Sequence, residues 1–374
     1  MQPELTVYWD EKMLDHRAPQ GAFKLPSTPI IEVNEEHPDQ PSRVQNILAM
    51  IQHSFDDRTT IVSPDPAEKS DLELVHESEY IEWVKEFSRN GGGRIGTTTT
   101  GMNEHTFDSA SVAAGAAISA GANVIGSDSN YQYALCRPSG HHAQSDCADG
   151  FCFFNNVALA AEKAILDGAE KVAIIDWDVH HGNGTQEIFY DRDDVLFISI
   201  HHDHGSWDSE NHPQEGSLEE NGKDEGEGYN INIPLSPGIG DSAYVKIFRE
   251  LVRPIIKEYL PDAIIVSAGQ DASIVDPNAR NLVTRDGFRK LGKITDEIAD
   301  EFASGNLALV QEGGYQPSHL SFATLGVFEG LFDVEIDLEH YGTEDPFDWV
   351  EPSSAVVDEE LPEIKDTHSA FWPV

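Results

Sequence analysis

Short apolar runs alternate with amphipathic stretches between residues 107 and 315, and this alternation restricts the possible folds more than any other feature. Strands that are apolar on both faces and separated by helices are typical of a parallel sheet with helices on both sides. We therefore predict one α/β domain, with a largely parallel β-sheet sandwiched between helices. The predicted strands span residues 131–136, 172–176, 195–200, 263–267 and 307–311.

Capping residues and turn signals predict the helices between these strands. The predicted helices span residues 107–122, 157–166, 241–260 and 284–303. Asn155 or Asn156 is placed to cap the second helix. Asp241 and Thr284 are expected to cap the third and fourth helices, and Pro254 predicts a kink in the third.

Polar clusters directly follow four of the predicted strands. Ligands of open parallel sheets bind outside the carboxyl ends of the strands, so four such clusters are expected to converge on one crevice. No single cluster would be sufficient evidence for a site, and the convergence carries the prediction. The clusters are residues 137–142 (RPSGHH), 177–184 (WDVHHGNG), 269–271 (GQD) and 312–315 (EGGY).

Asp178 and His180 indicate a metal site. Together with Asp176 they occur at every second position, which would place the three side chains on one side of an extended chain. Asp271, after a neighbouring strand, supplies a third ligand. Two carboxylates and one imidazole leave a coordination position open, as in catalytic zinc sites, and they also accept Fe²⁺ or Co²⁺. A lone Asp-x-His pair is more often a surface feature, so the buried flanking strands favour the metal site.

The adjacent residues His141 and His142 follow a proline and a glycine, in a turn that can direct both rings into the crevice. Two imidazoles beside a metal ion suit general acid–base catalysis. Asp176 and Asn183 are candidate partners that would fix the tautomers of the two rings. The alternative is a pair of structural loop histidines. That alternative is weakened because half of the 16 histidines lie between His141 and His212.

Tyr315 follows the glycines Gly313 and Gly314, which permit a backbone course that aims the phenol inward. A phenolic hydroxyl can stabilise a developing oxyanion while a metal ion polarises the carbonyl from the other side. Taken alone, a tyrosine after a Gly-Gly turn is more often structural, so this prediction depends on the other clusters.

Together the clusters resemble the histone deacetylase and acetylpolyamine amidohydrolase superfamily. The resemblance spans residues 5 to 330 and implies an arginase-like α/β fold whose active site lies at the carboxyl ends of the strands. It also implies a metal-dependent amidohydrolase that acts on linear amides. Asn183 stands where one branch has Asp, which is similar to the class II-like enzymes. The motifs are HPDQPSR (37–43), RPSGHHA (137–143), GFCFFNN (150–156), DWDVHHGNGTQ (176–186), SAGQDA (267–272) and QEGGY (311–315).

The resemblance implies a role for each matched residue. The catalytic residues are His141, His142, Tyr315, Asp176 and Asn183, and the zinc ligands are Asp178, His180 and Asp271. The residues of two structural K⁺ or Na⁺ sites are Asp176, Asp178, His180, Ser199 and Ile200 for the inner site, and Phe189, Arg192, Val195 and Tyr229 for the outer site. The substrate-binding residues are Gly150, Phe151, Gly313, Gly314 and, on the opposite tunnel wall, Trp207. Arg43 matches an arginine below the site, and Gln270 replaces a Phe of many relatives beside Asp271.

We therefore expect a zinc-dependent deacetylase that hydrolyses the acetyl-amide of acetyl-lysine in protein to acetate and a free amine. An acetylpolyamine amidohydrolase is the alternative, because acidic residues of the long loop 201–228 could attract a small cationic substrate. A non-catalytic acyl-ligand-binding protein is less favoured, since every matched chemical position is filled. A binuclear manganese ureohydrolase needs further bridging aspartates, whereas Trp177 and Val179 separate the ligands here.

The chain of 374 residues carries 67 acidic and 24 basic side chains, a formal net charge of −43. Direct binding of nucleic acid requires a basic surface, and anionic membranes repel the same charge, so both partners are excluded. The acid is spread through every segment. This favours a solvated surface adapted to a salt-rich cytoplasm, and the alternative is an acidic protein from a low-salt cell.

Three cysteines without a CxxC pair indicate a reducing compartment, and no apolar run approaches the roughly 20 residues of a membrane span, so a cytoplasmic location is expected. Residues 1–330 are predicted to form the deacetylase domain. Residues 331–374 are predicted to form an acidic extension that packs on the same domain through Phe371 and Trp372. The oligomeric state stays open.

Overall fold

The computed structural model describes residues 5–95, 99–126, 131–203, 216–347 and 355–374. Within these ranges one parallel sheet has the strand order β2-β1-β5-β10-β9-β6-β7-β8, and β3 and β4 form a separate antiparallel pair. The strands are β1 (Leu5–Tyr8), β2 (Thr59–Val62), β3 (Gly93–Ile95), β4 (Thr100–Met102), β5 (Tyr131–Ala134), β6 (Val172–Asp176), β7 (Val195–His202), β8 (Asn230–Leu235), β9 (Ala263–Ala268) and β10 (Leu307–Gln311).

Helices cover both faces of this sheet. They are α1 (Ser42–Ser54), α2 (Lys69–Leu72), α3 (Ser78–Arg89), α4 (Thr106–Ala122), α5 (Asn156–Leu166), α6 (Asn183–Phe189), α7 (Asp241–Ile247), α8 (Arg253–Tyr259), α9 (Arg285–Phe302), α10 (Pro317–Phe332) and α11 (Ala355–His368). Short 3₁₀ turns occur at Glu11–Leu14, Asp56–Arg58, Asp224–Gly226 and Leu338–Tyr341, and a π-helical turn occurs at Phe248–Val252. No helix among the described residues is long and apolar enough to cross a membrane.

The two faces of the sheet are packed by different side chains. Bulky residues such as Leu291 and Phe328, on α9 and α10, fill one face. Small residues of α4 and α5 cover the other, where these two helices approach closely. A Cβ atom on Gly121 would lie 2.1 Å from the Ala160 carbonyl oxygen, so the approach requires glycine. The Ala- and Gly-rich sequence of α4 therefore follows from its close contact with α5.

The predicted fold class is confirmed, and the central strands lie where the apolar runs placed them. Parallel pairing sets Asp176 opposite both Ser199 and Ser267, which aligns the ends of β7, β6 and β9. Asn155 caps α5, because its side chain accepts a hydrogen bond from the Ala158 amide. Thr284 caps α9 in the same way. The segments after these aligned strand ends are thus brought to one edge of the sheet.

The predicted helix 241–260 is present as a helical segment from Asp241 to Tyr259, but its predicted cap is wrong. Gly240, and not Asp241, occupies the cap position of α7, and the Asp241 carboxylate instead accepts hydrogen bonds from the amide and hydroxyl of Thr284. The helix is also interrupted by the π-helical turn, and Pro254 lies in the first turn of α8, where proline is tolerated. A change of helical type thus precedes the proline, and the kink expected at Pro254 stays a prediction.

The C-terminal helix α11 packs on the sheet domain through apolar residues such as Leu361 and Ile364. Trp372 is 8% exposed, and its indole N–H donates to the Gly228 carbonyl over 2.7 Å. Phe371 is 40% exposed, so Trp372 carries the larger part of this contact. The division of the chain at residue 330 stays a prediction.

Candidate metal-dependent active site

Four loops meet at the carboxyl ends of neighbouring strands. β5, β10, β9 and β6 are adjacent in the sheet, so the segments that follow them lie side by side. These segments carry the four polar clusters predicted from the sequence. The crevice between them contains His141 and His142, the Asp178 loop, Asp271 and Tyr315.

Asp178, His180 and Asp271 form one group, in which a ligand atom from each lies within 4.8 Å of the others. His180 Nδ1 lies 3.1 Å from Asp178 Oδ1 and 2.9 Å from Asp271 Oδ2. The expected extended course of residues 176–180 is wrong, because β6 ends at Asp176. The chain then turns, and its amides donate back: that of Asp178 to Asp176, and that of His180 to Asp178.

This triad fits a small cation. Asp178 and Asp271 are both fully buried, so their negative charges require a positive partner. Burial alone would lower the pKa of His180, but Asp271 and Asp178 raise it to about 10. The two carboxylates therefore favour a positive charge between them. Glycines leave room around the oxygens, since a Cβ on Gly269 would lie 2.0 Å from Asp178 Oδ2 and one on Gly313 would lie 2.2 Å from Asp271 Oδ2.

The tandem histidines each have the partner predicted for them. The His141 Nδ1–H donates to Asp176 Oδ2 over 3.0 Å, and the His142 Nδ1–H donates to Asn183 Oδ1 over 2.7 Å. Because both acceptors are oxygens, each Nδ1 carries a proton and each Nε2 faces away from its partner. His141 Nε2 lies 3.8 Å from Asp178 Oδ1, which places the pair directly beside the triad.

The two histidines have opposite proton affinities. Burial alone would lower the pKa of His141, but the carboxylates of Asp178 and Asp176 raise it well above its ordinary value. For His142, burial and the neighbouring His141 and His180 hold the pKa well below its ordinary value. The environment of His141 therefore favours the protonated ring, and that of His142 favours the neutral ring.

Tyr315 reaches the crevice through the two glycines before it. Gly314 has φ +118°, a conformation that favours glycine. The Tyr315 amide donates to Asp276 Oδ2 over 2.6 Å, and the Arg43 guanidinium lies 4.6 Å from the centre of the phenol ring. Phe151 meets this ring edge-on at 5.6 Å. Asp276 therefore fixes the backbone of Tyr315, while Arg43 and Phe151 contact its phenol ring.

Gly150 and Phe151 form part of the crevice wall. A Cβ on Gly150 would lie 2.1 Å from the His142 ring, so only glycine permits this approach. Phe151 itself has φ +72° and contacts His37 at a ring separation of 4.6 Å. Trp207, the predicted opposite wall, lies outside the described residues.

Arg43 and Gln270 lie behind the site. The Arg43 guanidinium donates to Asp39 and to the carbonyls of Glu312 and Gly314, so it holds the Gly-Gly segment from below. The Gln270 side chain accepts from Gln311 over 2.9 Å. Gln270 is thus bonded to the end of β10.

The predicted monovalent-cation residues lie in β7 and in the segments around it. Ser199 Oγ lies 3.1 Å from His181 Nδ1 and 2.9 Å from His201 Nδ1. The Phe189 carbonyl accepts from the Arg192 amide, and the Tyr229 carbonyl accepts from the Phe197 amide. Ile200 lies in β7, and Val195 is its first residue. Their assignment to two cation sites stays a prediction.

Sequence reasoning missed four buried residues that support the site: Asp39, Arg137, Asp276 and Glu312. Arg137 donates to Asp39 and to the Met13 carbonyl, and the Glu312 carboxyl accepts from the amides of Gly140 and His141. Arg137 and Glu312 were present in the polar clusters. The signal that could have identified these two residues was a charged side chain directly after a buried strand.

Comparisons with known proteins agree with this geometry. A family model described as histone deacetylase domain matches residues 37–331. Histone deacetylase 8 of Arabidopsis thaliana is 39% identical over 370 residues, which cover 98% of this chain and 97% of that protein. A histone deacetylase-like amidohydrolase of Pseudomonas aeruginosa is 38% identical over 333 residues, which cover 87% of this chain and 86% of that protein.

The similarity extends to three dimensions. The crystal structure of the HDA15 HD domain superposes with a TM-score of 0.85 at 32% sequence identity, and the match covers 99% of this chain and 96% of that one. The matched sequence includes every strand-end cluster of the crevice, from His141 to Tyr315. The chain therefore belongs to the histone deacetylase domain family.

Proposed function

We propose that this protein is a zinc-dependent deacetylase that hydrolyses the acetyl-amide of acetyl-lysine in protein, releasing acetate and a free amine. The observation that carries the proposal is the contact between the histidine pair and the acidic triad, with His141 Nε2 3.8 Å from Asp178 Oδ1. A proton donor, a proton acceptor and a candidate metal site thus share one crevice, as metal-assisted amide hydrolysis requires.

Asp178, His180 and Asp271 would hold the zinc ion. Zinc bound by three protein ligands keeps an open position, at which it polarises a carbonyl and lowers the pKa of water. The same oxygen and nitrogen donors accept Fe²⁺ or Co²⁺, so the metal is assigned by direct analysis in the experiment below.

His142 acts as the general base. Its lowered pKa keeps the ring neutral, and the bond from Nδ1–H to Asn183 directs the lone pair of Nε2 away from that partner. This ring therefore accepts the proton of the attacking water. Asn183 is neutral, so it fixes the tautomer without adding the charge that would raise the proton affinity of the ring.

His141 acts as the general acid. Asp178 and Asp176 raise its pKa, so the ring carries a proton near neutral pH. The carboxylate of Asp176 holds this ring through Nδ1, which leaves the Nε2–H to donate to the departing amine. The leaving group is thereby released as a neutral amine.

Tyr315 stabilises the oxyanion of the tetrahedral intermediate. Burial raises the pKa of Tyr315 well above its ordinary value, so its hydroxyl keeps the proton that it donates to the oxyanion. The fixed Gly313–Gly314 segment and the Arg43 contact orient the phenol before substrate arrives.

Two monovalent-cation sites are also part of the proposed function. We assign Asp176, Asp178, His180, Ser199 and Ile200 to an inner K⁺ or Na⁺ site, and the Phe189, Arg192, Val195 and Tyr229 carbonyls to an outer one.

The net charge of −43 supports adaptation to a salt-rich cytoplasm, because dense salt screens the repulsion among surface acids.

One experiment tests the function. The purified protein, loaded with zinc in high KCl, is assayed for acetate release from an acetyl-lysine peptide and from acetylspermidine, and its metal is quantified. We expect one zinc per chain and a higher kcat/KM for the peptide. A higher kcat/KM for acetylspermidine would identify a polyamine deacetylase, and bound zinc without hydrolysis of either would contradict an enzymatic role.

A further inference from the structure

The buried carboxyl of Glu312 connects two loops of the active site. Glu312 directly follows β10 and is fully buried. Its Oε2 accepts the Gly140 amide over 2.7 Å and the His141 amide over 3.2 Å. Three residues further along the chain is Tyr315. One side chain therefore joins the backbone of the histidine pair to the segment that carries the tyrosine.

The backbone around Glu312 is bonded to the rest of the site as well. The Glu312 carbonyl accepts Arg43 Nη2 over 2.6 Å. The next amide, that of Gly313, donates to Asp178 Oδ2 over 2.8 Å. The β10 end is thus fixed against the α1 side of the crevice and against the candidate metal ligand. The contact with the histidine loop is the one that depends on the Glu312 side chain.

We propose that Glu312 is a positioning residue, whose side-chain oxygen sets the separation between His141 and Tyr315 by accepting the two loop amides. This inference rests on the proposed function. It assigns to Glu312 no contact with substrate: the residue acts through the backbone of the histidine pair.

The site requires an acceptor oxygen at this point and does not require its charge. Burial raises the pKa of Glu312 to about 8, so the carboxyl is largely neutral at pH 7. The second oxygen, Oε1, is buried without a hydrogen-bond partner in the described part of the chain. Gln has the same length and presents a carbonyl oxygen to the two amides. Asp keeps an ionisable carboxyl but withdraws it by one C–C bond, about 1.5 Å.

The test compares three variants of the zinc-loaded, full-length protein: Glu312→Gln, Glu312→Asp and Glu312→Ala. Steady-state kcat and KM are measured on the acetyl-lysine peptide, and zinc is quantified in each sample. We expect Glu312→Gln to keep nearly the wild-type kcat. Glu312→Asp and Glu312→Ala are expected to lose roughly 10²-fold in kcat, with KM and zinc content unchanged, because a catalytic group moved by about 1 Å loses that much rate.

The matched control is Glu329→Gln, which neutralises another buried acid, one that bonds Arg285 and the Ile336 amide. It should leave kcat per folded molecule unchanged. Rescue by Asp and not by Gln would overturn the inference, because charge would then be the requirement. Full kcat in Glu312→Ala, or loss of zinc in parallel with loss of rate, would overturn it too. Should the Ala variant not fold, the comparison of Gln with Asp decides.

Failure of the inference is distinguishable from failure of the proposed function. A wild-type protein that hydrolyses no acylated amine removes the proposed function, and this inference with it. An active wild type with equally active Glu312 variants removes only the inference.

Discussion

The acidic residues of this chain occur in two very different settings. The site acids, defined here as Asp39, Asp176, Asp178, Asp271, Asp276 and Glu312, are each at most 9% exposed. Each is surrounded by imidazoles, guanidinium groups or backbone amides. An exterior acid such as Asp333, with a side chain 80% exposed, faces solvent and pairs with Lys293.

This difference shows that abundance of acid does not create a site. The chain has 67 acidic and 24 basic side chains, so exterior acids outnumber their possible partners and rely on water. A buried carboxylate has no such option, because an unpaired buried charge costs several kcal/mol. The site acids are therefore buried and paired, whereas the exterior acids are solvated. The predictions below test this contrast.

The largest expected effect concerns a phenol at the site compared with one on the exterior. Tyr315→Phe should lower kcat by roughly 10²–10³-fold, because it removes one donor to the oxyanion. The control is Tyr341→Phe, since Tyr341 is exposed and its hydroxyl donates to the His53 carbonyl. Steady-state kinetics on an acetyl-lysine peptide measure both. Near-wild-type activity of Tyr315→Phe would contradict the assigned role.

A buried ion pair should be worth far more than an exposed one. Glu329 is 1% exposed and pairs with Arg285, whereas Asp333 pairs with Lys293 in solvent. Glu329→Gln leaves a largely buried guanidinium without its partner, so we expect a loss of about 3 kcal/mol in the free energy of unfolding. Asp333→Asn should leave the urea midpoint unchanged. Equal urea midpoints for the two variants would contradict the expected difference between the buried and the exposed ion pair.

Buried histidines should limit stability at low pH. Burial lowers the pKa of His76 to about 4, from 6.5 in the unfolded chain, so the unfolded state binds a proton first as pH falls. Stability from this residue is complete above pH 6.5 and is lost between pH 6.5 and 4, by about 3 kcal/mol. In His76→Gln this part of the pH dependence should disappear, while the exposed-site control His105→Gln keeps it. Urea unfolding at several pH values measures the effect.

The smallest effect per residue on stability comes from the repulsion among the acidic side chains of the exterior. Because a net charge of −43 repels itself, the unfolding midpoint should rise as KCl is increased from 0.1 M to 2 M. Replacing KCl by an equal concentration of sucrose controls for general exclusion effects. A midpoint that is already maximal without added salt would contradict the proposed adaptation.

The sequence predicted those features whose signals are local. Apolar runs located β6, β9 and β10, and the residues next to them located the crevice, because parallel strands place their carboxyl ends together. The tautomer partners Asp176 and Asn183 were also predictable, since each is close in sequence to Asp178 and His180.

Features set by distant partners were not predictable from the sequence. The oxygen of Glu312 bonds amides 171 and 172 residues away, and Asp241 bonds Thr284, 43 residues away, in place of capping its own helix. The edge strand β2 is mostly exposed, so it has no apolar pattern to reveal it. In each case the determining contact exists only once the chain has folded.

Zinc content, compared between a variant of a buried site acid and a variant of an exterior acid, tests most directly whether the buried triad binds the metal. Wild-type protein, Asp178→Asn and the exterior control Asp333→Asn are loaded with zinc, dialysed and analysed by mass spectrometry alongside acetate release. We predict one zinc per chain and full activity in the wild type and in Asp333→Asn. Asp178→Asn should lose both the zinc and the activity. Retention of stoichiometric zinc and activity by Asp178→Asn would contradict the assignment of this buried triad as the metal site.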